Sequence, residues 1–277
     1  MKTLHIVSGG IGKTIIFTSL LKKLKEKYNK NISLHTMYNE IYDNHYAVDK
    51  IIPTFEYFNY SKNKTHLKEY DSIINHDPYY SNYVFNDISL KESYFNMYEL
   101  DYENDENDIE ITRYSKNIAK HSYNSKYFIF QFTGGQSMLM DDYNDGMFGM
   151  RNYSFNRALK LVSELSYSFP DIPFLDFSHS NEYNFNFSNV FKYYGNFIGL
   201  QTILKNSIGF LSIDSSLQHL AATKQIKKRG IVLWNTNITT PEKIGYKDNI
   251  NLTFNGFSPI EINEQTILEQ VESLIYN

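Results

Sequence analysis

Cysteine is absent from the 277 residues, and tryptophan occurs once. Without thiols the chain forms no disulfide, no thiolate metal site and no cysteine nucleophile. That usage fits a reducing cytoplasm, the compartment we expect for it. Long apolar runs are missing too. No stretch approaches the roughly 18 residues that cross a bilayer, so no transmembrane segment is expected. The opening Met1-Lys2-Thr3-Leu4-His5-Ile6-Val7 is a short apolar strand running into glycines. It lacks the apolar region and cleavage site of a secretory signal. Charge of one sign is not in excess: 27 Lys and Arg stand against 31 Asp and Glu, a net charge of −4. Nothing here marks nucleic acid as the main partner.

The chain is instead rich in Tyr (24) and Phe (20), with Asn, Lys and Ile also frequent. This is the codon bias of an A/T-rich genome, so the aromatics are not read as a binding surface. The length suits two domains, or one large α/β domain, with ample material for a core.

Strand and helix signals alternate, which points to α/β layers around mostly parallel sheets. Leu4–Val7 reads as strand. Thr14–Tyr28 reads as an amphipathic helix, with Ile16, Phe17, Leu20, Leu21 and Leu24 on one side and Lys22, Lys23, Lys25 and Lys27 elsewhere. Ile32–Thr36 and Lys50–Pro53 read as strands with a helix over Asn39–Tyr46 between them. Ser72–Asn75 is strand-like and ends in His76-Asp77. The acidic run Asp101–Asp108 reads as a solvated linker. A second cycle follows: strands over Tyr127–Phe132, Phe174–Phe177, Ile208–Ile213 and Gly230–Trp234, helices over Phe155–Phe169 and Gly199–Asn206, and a closing helix over Thr266–Tyr276. The expected division is therefore 1–122, 123–265 and a terminal helix, 266–277.

Chemistry gathers at two places. Asp214-Ser215-Ser216-Leu217-Gln218-His219 follows the Ile208–Ile213 strand and opens a helix. Ligands of open α/β sheets bind at such strand ends, and a helix start favours phosphate. The same residues also suit a cap at Asp214 or Ser215 and a packed His219. Ser8-Gly9-Gly10-Ile11-Gly12-Lys13-Thr14 sits between a strand and a helix, where a phosphate loop would stand. The P-loop pattern wants glycine at position 7, where Val7 stands, and the deviant form wants lysine at position 8, where Ser8 stands. A P-loop nucleotide hydrolase built on Ser8–Thr14 remains an alternative. So does the simpler role of glycines in a tight turn.

Both ends taken together resemble the ADP-heptose:lipopolysaccharide heptosyltransferases, glycosyltransferase family nine. The opening strand, glycine turn and helix are similar to theirs. So is Tyr46-Ala47-Val48-Asp49-Lys50-Ile51-Ile52-Pro53. Asp214–Ala222 resembles their Asp-[Ser/Thr]-Gly-x-x-His-Leu-x-Ala signature, and Ile231–Thr236 with Thr240-Pro241 and Gly245-Tyr246 the strand and loop beyond. The resemblance implies a GT-B fold: two Rossmann-like domains with parallel sheets facing a central cleft, and a last helix returning to the first domain. It implies a metal-independent transferase without a cofactor, moving a hexosyl or heptosyl group from a nucleotide-diphosphate-sugar donor to a hydroxyl acceptor. That acceptor is a glycan more readily than a modified DNA base. By the same resemblance Thr133, Gly134, Gly135, Arg151, Ser215 and Ser216 bind donor phosphate, Asp214 contacts the sugar or orients the loop, and Glu182 holds the ribose. His219 serves the leaving group as a cation or a hydrogen-bond donor, and Gly10 and Gly12 line the site.

Lys13 departs from the pattern. The family carries an aspartate base there, and a protonated lysine cannot accept a proton. Lys13 could instead bind phosphate. His76, Asp77, Glu40 and Asp43, in that order, are the substitute bases. A catalytically silent GT-B nucleotide-sugar-binding protein is the further alternative.

Overall fold

The computed structural model describes residues 2–30, 32–53, 67–78, 83, 88–103, 108–111, 126–134, 149–178, 183–195 and 197–276. The chain divides into two compact units, Met1–Tyr114 with Thr223–Gln225, and Ser115–Ala222 with Ile226–Asn277. Thr223–Gln225 joins the first unit through one backbone and one side-chain hydrogen bond. The Lys224 N–H donates to the Ile109 carbonyl at 3.0 Å, and the Ile111 N–H to Gln225 Oε1 at 3.3 Å.

In the first unit, β1 (Thr3–Val7), β2 (Ile32–Thr36), β3 (Val48–Pro53) and β4 (Ser72–Ile74) form a parallel sheet ordered β3-β2-β1-β4. β2 is buried along its whole length. The helix expected over 14–28 is two helices, α1 (Ile11–Phe17) and α2 (Leu21–Tyr28), joined by a 3-10 turn at Thr18–Leu20. The cause is local. The Thr18 and Ser19 hydroxyls each donate to a carbonyl three residues back, at 2.7 Å. Such back-bonding competes with the α-helical ladder. Asn29 ends α2 in the left-handed conformation, at φ 49°. The expected helix over Asn39–Tyr46 is only a 3-10 turn, Asn39–Ile41. A helix unforeseen in the sequence, α3 (Leu90–Met97), starts at Ser89, whose hydroxyl accepts from the Glu92 N–H at 3.0 Å. Ser89 and Glu92 have the spacing of a capping box, a legible start signal.

The second unit is a six-stranded parallel sheet, β5 (Phe128–Gln131), β6 (Phe174–Asp176), β7 (Val190–Lys192), β8 (Phe210–Ile213), β9 (Gly230–Asn235) and β10 (Ile250–Phe254), ordered β10-β9-β8-β5-β6-β7. Counted from β5, that is the 3-2-1-4-5-6 order of a doubly wound nucleotide-binding sheet. β5, β8 and β9 are buried on both faces, which is why they read as continuous apolar runs. The edge strands β7 and β10 are half-exposed and lacked that signal. The helices are α4 (Phe155–Ser168), α5 (Phe197–Asn206), α6 (Ser216–Ala221), α7 (Pro241–Ile244) and α8 (Glu264–Tyr276).

Aromatics fill this core. Phe128, Phe130, Phe132, Tyr153, Phe174 and Phe210 are fully buried, and Phe130 stacks on Phe132 with centroids 5.0 Å apart. α8 groups with the second unit, where it packs against α4 and β9. Ile267 and Val271 are buried there among Leu161, Val162 and Leu165. An amphipathic helix goes where its apolar face finds apolar area. Among the described residues no helix is long and apolar enough to cross a membrane.

Candidate functional site

In a parallel sheet of this order the chain leaves strands one and four in opposite directions, and a crevice opens at their carboxyl ends. The second unit has it at the ends of β5 and β8. From β5 come Gln131, Thr133 and Gly134; from β8 come Asp214 and Ser215; Arg151 closes the 3-10 turn Gly149–Arg151 before α4. The sequence named Thr133, Gly134, Arg151, Asp214, Ser215, Ser216 and His219, and the fold brings them to this one end of the sheet.

Ser215 caps α6, its hydroxyl accepting from the Leu217 N–H at 3.3 Å and donating to Gln131 Oε1 at 2.9 Å. Gln131 in turn donates to the Thr133 carbonyl at 2.9 Å. The Gly134 N–H donates to Asn152 Oδ1 at 3.2 Å. The loop after β5 and the start of α6 are thus one rigid network. Ser216 is the first residue of α6 and half-buried.

Asp214 is 3% exposed, and both its carboxylate oxygens are engaged. Arg151 Nη2 lies 2.9 Å from Oδ2 and 2.6 Å from the Asp214 carbonyl, and Gln218 Nε2 donates to Oδ1 at 2.7 Å. Asp214 therefore orients its loop and holds Arg151 and Gln218. Arg151 remains about a third exposed, and among the described residues its buried Nε has no hydrogen-bond partner.

His219 is 4% exposed, one turn into α6, with Nδ1 2.9 Å from the Tyr246 hydroxyl. Burial brings its pKa down to about 4, with Arg151 lowering and Asp214 raising it. Burial therefore favours the neutral ring at pH 7, which suits the donor role better than the cationic one.

The first unit has a counterpart at the ends of β1 and β4. Gly9 has φ 92°, and a Cβ on it would lie 2.0 Å from Lys13 Cε. Glycine is required there by conformation and by space. Gly10 precedes α1 with nothing near a Cβ, and Gly12 lies in its first turn. The Lys13 side chain folds back over Gly9 to Asp77, with Nζ at 2.8 and 2.9 Å from the two oxygens. Ser8 Oγ donates to the same carboxylate at 3.0 Å. The side chains of Lys13 and Asp77 are 10% and 12% exposed. The sequence singled out both residues but not the pair. His76 packs edge-on against Tyr98 at 4.7 Å, and burial lowers its pKa. Glu40 lies in the 3-10 turn after β2.

Glu182 and Gly135 lie outside the described residues. A carboxylate that sequence reasoning missed, Asp176, ends β6. It is buried, its pKa raised by desolvation, and it binds Lys192 Nζ at 2.9 Å and the Ser178 N–H at 2.7 Å. Its signal was an acid at the end of an apolar strand. Gln131, Gln218 and Tyr246 were also missed as partners, since each lies across the sheet or one turn away in a helix. Among the described residues no group of three His, Asp or Glu side chains could hold a metal ion.

No protein-family model matches the chain, and no curated protein matches it. Solved structures do. Escherichia coli ADP-heptose lipopolysaccharide heptosyltransferase II superposes with a TM-score of 0.69 at 12% identity, over 100% of this chain and 99% of that one. A family 9 glycosyl transferase from Veillonella parvula gives 0.65 at 10% identity, over 99% and 97%. Escherichia coli heptosyltransferase WaaC with ADP gives 0.62 at 14%, over 99% and 100%. The chain has the two-domain α/β fold of the family 9 heptosyltransferases.

Proposed function

We propose that the protein is a metal-independent glycosyltransferase that moves a sugar from a nucleotide-diphosphate-sugar to a hydroxyl acceptor. One observation carries the reading. The crevice of a 3-2-1-4-5-6 sheet holds Thr133, Gly134, Arg151, Asp214, Ser215, Ser216 and His219 together in a fold shared with heptosyltransferases. The second unit takes the donor. Arg151, the neutral His219 ring and backbone N–H groups neutralise the diphosphate, so no cation is needed. Glu182 is assigned to the ribose.

The first unit takes the acceptor. Its hydroxyl oxygen attacks the anomeric carbon, the bond to the diphosphate oxygen breaks, and the hydroxyl proton passes to Asp77. Lys13 positions Asp77 through the paired contacts of its ammonium with both carboxylate oxygens, in place of the aspartate that the heptosyltransferases carry at position 13. Three of the four lysines of α2 are tied to backbone carbonyls: Lys23 Nζ donates to Asp101 at 2.7 Å, Lys25 to Tyr46 at 3.1 Å and Lys27 to Tyr98 at 2.8 Å. The net charge of −4 favours a glycan acceptor over DNA. The P-loop alternative loses its lysine, because Lys13 is already held by Asp77. Lysine at position 13, where the heptosyltransferases carry an aspartate, is what favours the silent-binder reading.

A thermal-shift screen of nucleotide sugars and nucleoside diphosphates, with magnesium and with EDTA, tests the proposal. We expect stabilisation that is independent of magnesium, lost in Asp214→Ala and kept in Lys13→Ala. Magnesium-dependent stabilisation by ATP, lost in Lys13→Ala alone, would overturn it. Donor binding without sugar transfer would select the silent binder.

A further inference from the structure

The His219 ring has a partner that the signature around it does not contain. Tyr246, on the turn after α7, places its hydroxyl 2.9 Å from Nδ1, with the two rings 5.6 Å apart at 71°. The backbone around Tyr246 is anchored. Its carbonyl accepts from the Asn249 N–H at 3.1 Å and from Asn251 Nδ2 at 3.4 Å. Asn251 Oδ1 accepts from Nε1 of the fully buried Trp234 at 2.8 Å. The phenol is therefore held in place from the core outward.

A neutral imidazole has one donor nitrogen and one acceptor nitrogen. A phenol is a strong donor and, with its lone pair drawn into the ring, a weak acceptor; imidazole is the better base. These strengths favour a contact that runs O–H to Nδ1, and that direction puts the ring proton on Nε2. Helical side chains lean toward the helix start, so the ring lies over the turn that Ser215 and Ser216 begin. The charged groups that bear on it are Asp214 and Arg151.

We propose that Tyr246 is a positioning residue that fixes His219 as the Nε2–H tautomer and so presets the ring as a hydrogen-bond donor to the donor diphosphate. This rests on the transferase reading above. His219 then stabilises the leaving group without transferring a proton.

The test uses the full chain, labelled with 15N-histidine, with His219→Asn to assign the resonances. Wild type should show a protonated Nε2 and a bare Nδ1 for His219; Tyr246→Phe should show a mixture of tautomers. Binding of ADP and UDP is then measured by calorimetry. Losing one hydrogen bond's worth of ordering should weaken whichever binds by roughly 3- to 10-fold in Tyr246→Phe. The variant should melt near wild type, and Tyr246→Phe should add almost nothing to His219→Ala in the double variant. An unchanged tautomer, or losses that add in full, would overturn the positioning role. A tautomer that responds in a wild type that binds no nucleoside diphosphate would instead overturn the donor reading, and the functional part of this role with it.

Discussion

The two units present the same topological feature, a crevice at the ends of their first and fourth strands, and furnish it differently. In the first, a carboxylate meets an ammonium: Asp77 faces Lys13, with Ser8 alongside, and both side chains keep a little exposure. In the second, a more deeply buried carboxylate is saturated by a guanidinium and an amide, and a neutral histidine sits beside it. In the proposed function the first arrangement supplies the base, and the second spends its carboxylate on building a frame while Arg151 and His219 serve the ligand. On that proposal one takes a proton and the other holds an anion.

The largest expected effect separates them by function. Asp77→Asn should lower sugar transfer on the order of 10²- to 10⁴-fold, the range of general-base catalysis, with nucleoside diphosphate affinity within about twofold of wild type. Steady-state kinetics beside calorimetry would show it; equal loss of both would erase the division of labour. Lys13→Met removes the ammonium from a partly buried carboxylate and should cost about 1–3 kcal/mol. Replacing both partners should recover much of that.

Acidity separates the units by stability. Burial holds His5 and His45 of the first unit, like His219 of the second, down to about 4. Their unfolded value is 6.5, so the unfolded chain binds more protons between those limits. Stability is full above about pH 6.5 and falls as pH drops toward 4. At pH 5 each contributes a loss of up to about 2 kcal/mol. The first unit, with two such residues against one, should open first, which hydrogen exchange resolved by unit would detect. Equal protection in both at pH 5 would remove the contrast.

The smallest effect concerns the frame. Ser215→Ala removes a helix cap and the bond to Gln131 and should cost about 1 kcal/mol. Donor affinity should drop in step if the rigidity of the frame matters for binding. A stability loss with unchanged affinity would make Ser215 a cap alone.

Much of this was legible in the chain. The strands buried on both faces, β5, β8 and β9, announced themselves as apolar runs; Asp214, Ser215 and His219 follow β8, and Gly9, Lys13 and Asp77 follow β1 and β4 of the first unit. The edge strands β7 and β10 were missed because an edge need not be apolar. The break between α1 and α2 was missed because helical periodicity continues through Thr18 and Ser19 while their hydroxyls alter the bonding.

By itself, then, the sequence determined the alternation of strands and helices, and so the parallel sheets and the strand ends at which polar residues collect. These follow from local periodicity, which is written in neighbouring residues. Only the tertiary structure decided who pairs with whom: Lys13 with Asp77, Arg151 with Asp214, Tyr246 with His219, and α8 with α4 and β9. Those choices join residues far apart in the chain. Their energies depend on burial, distance and direction, which exist only once the sheets have assembled.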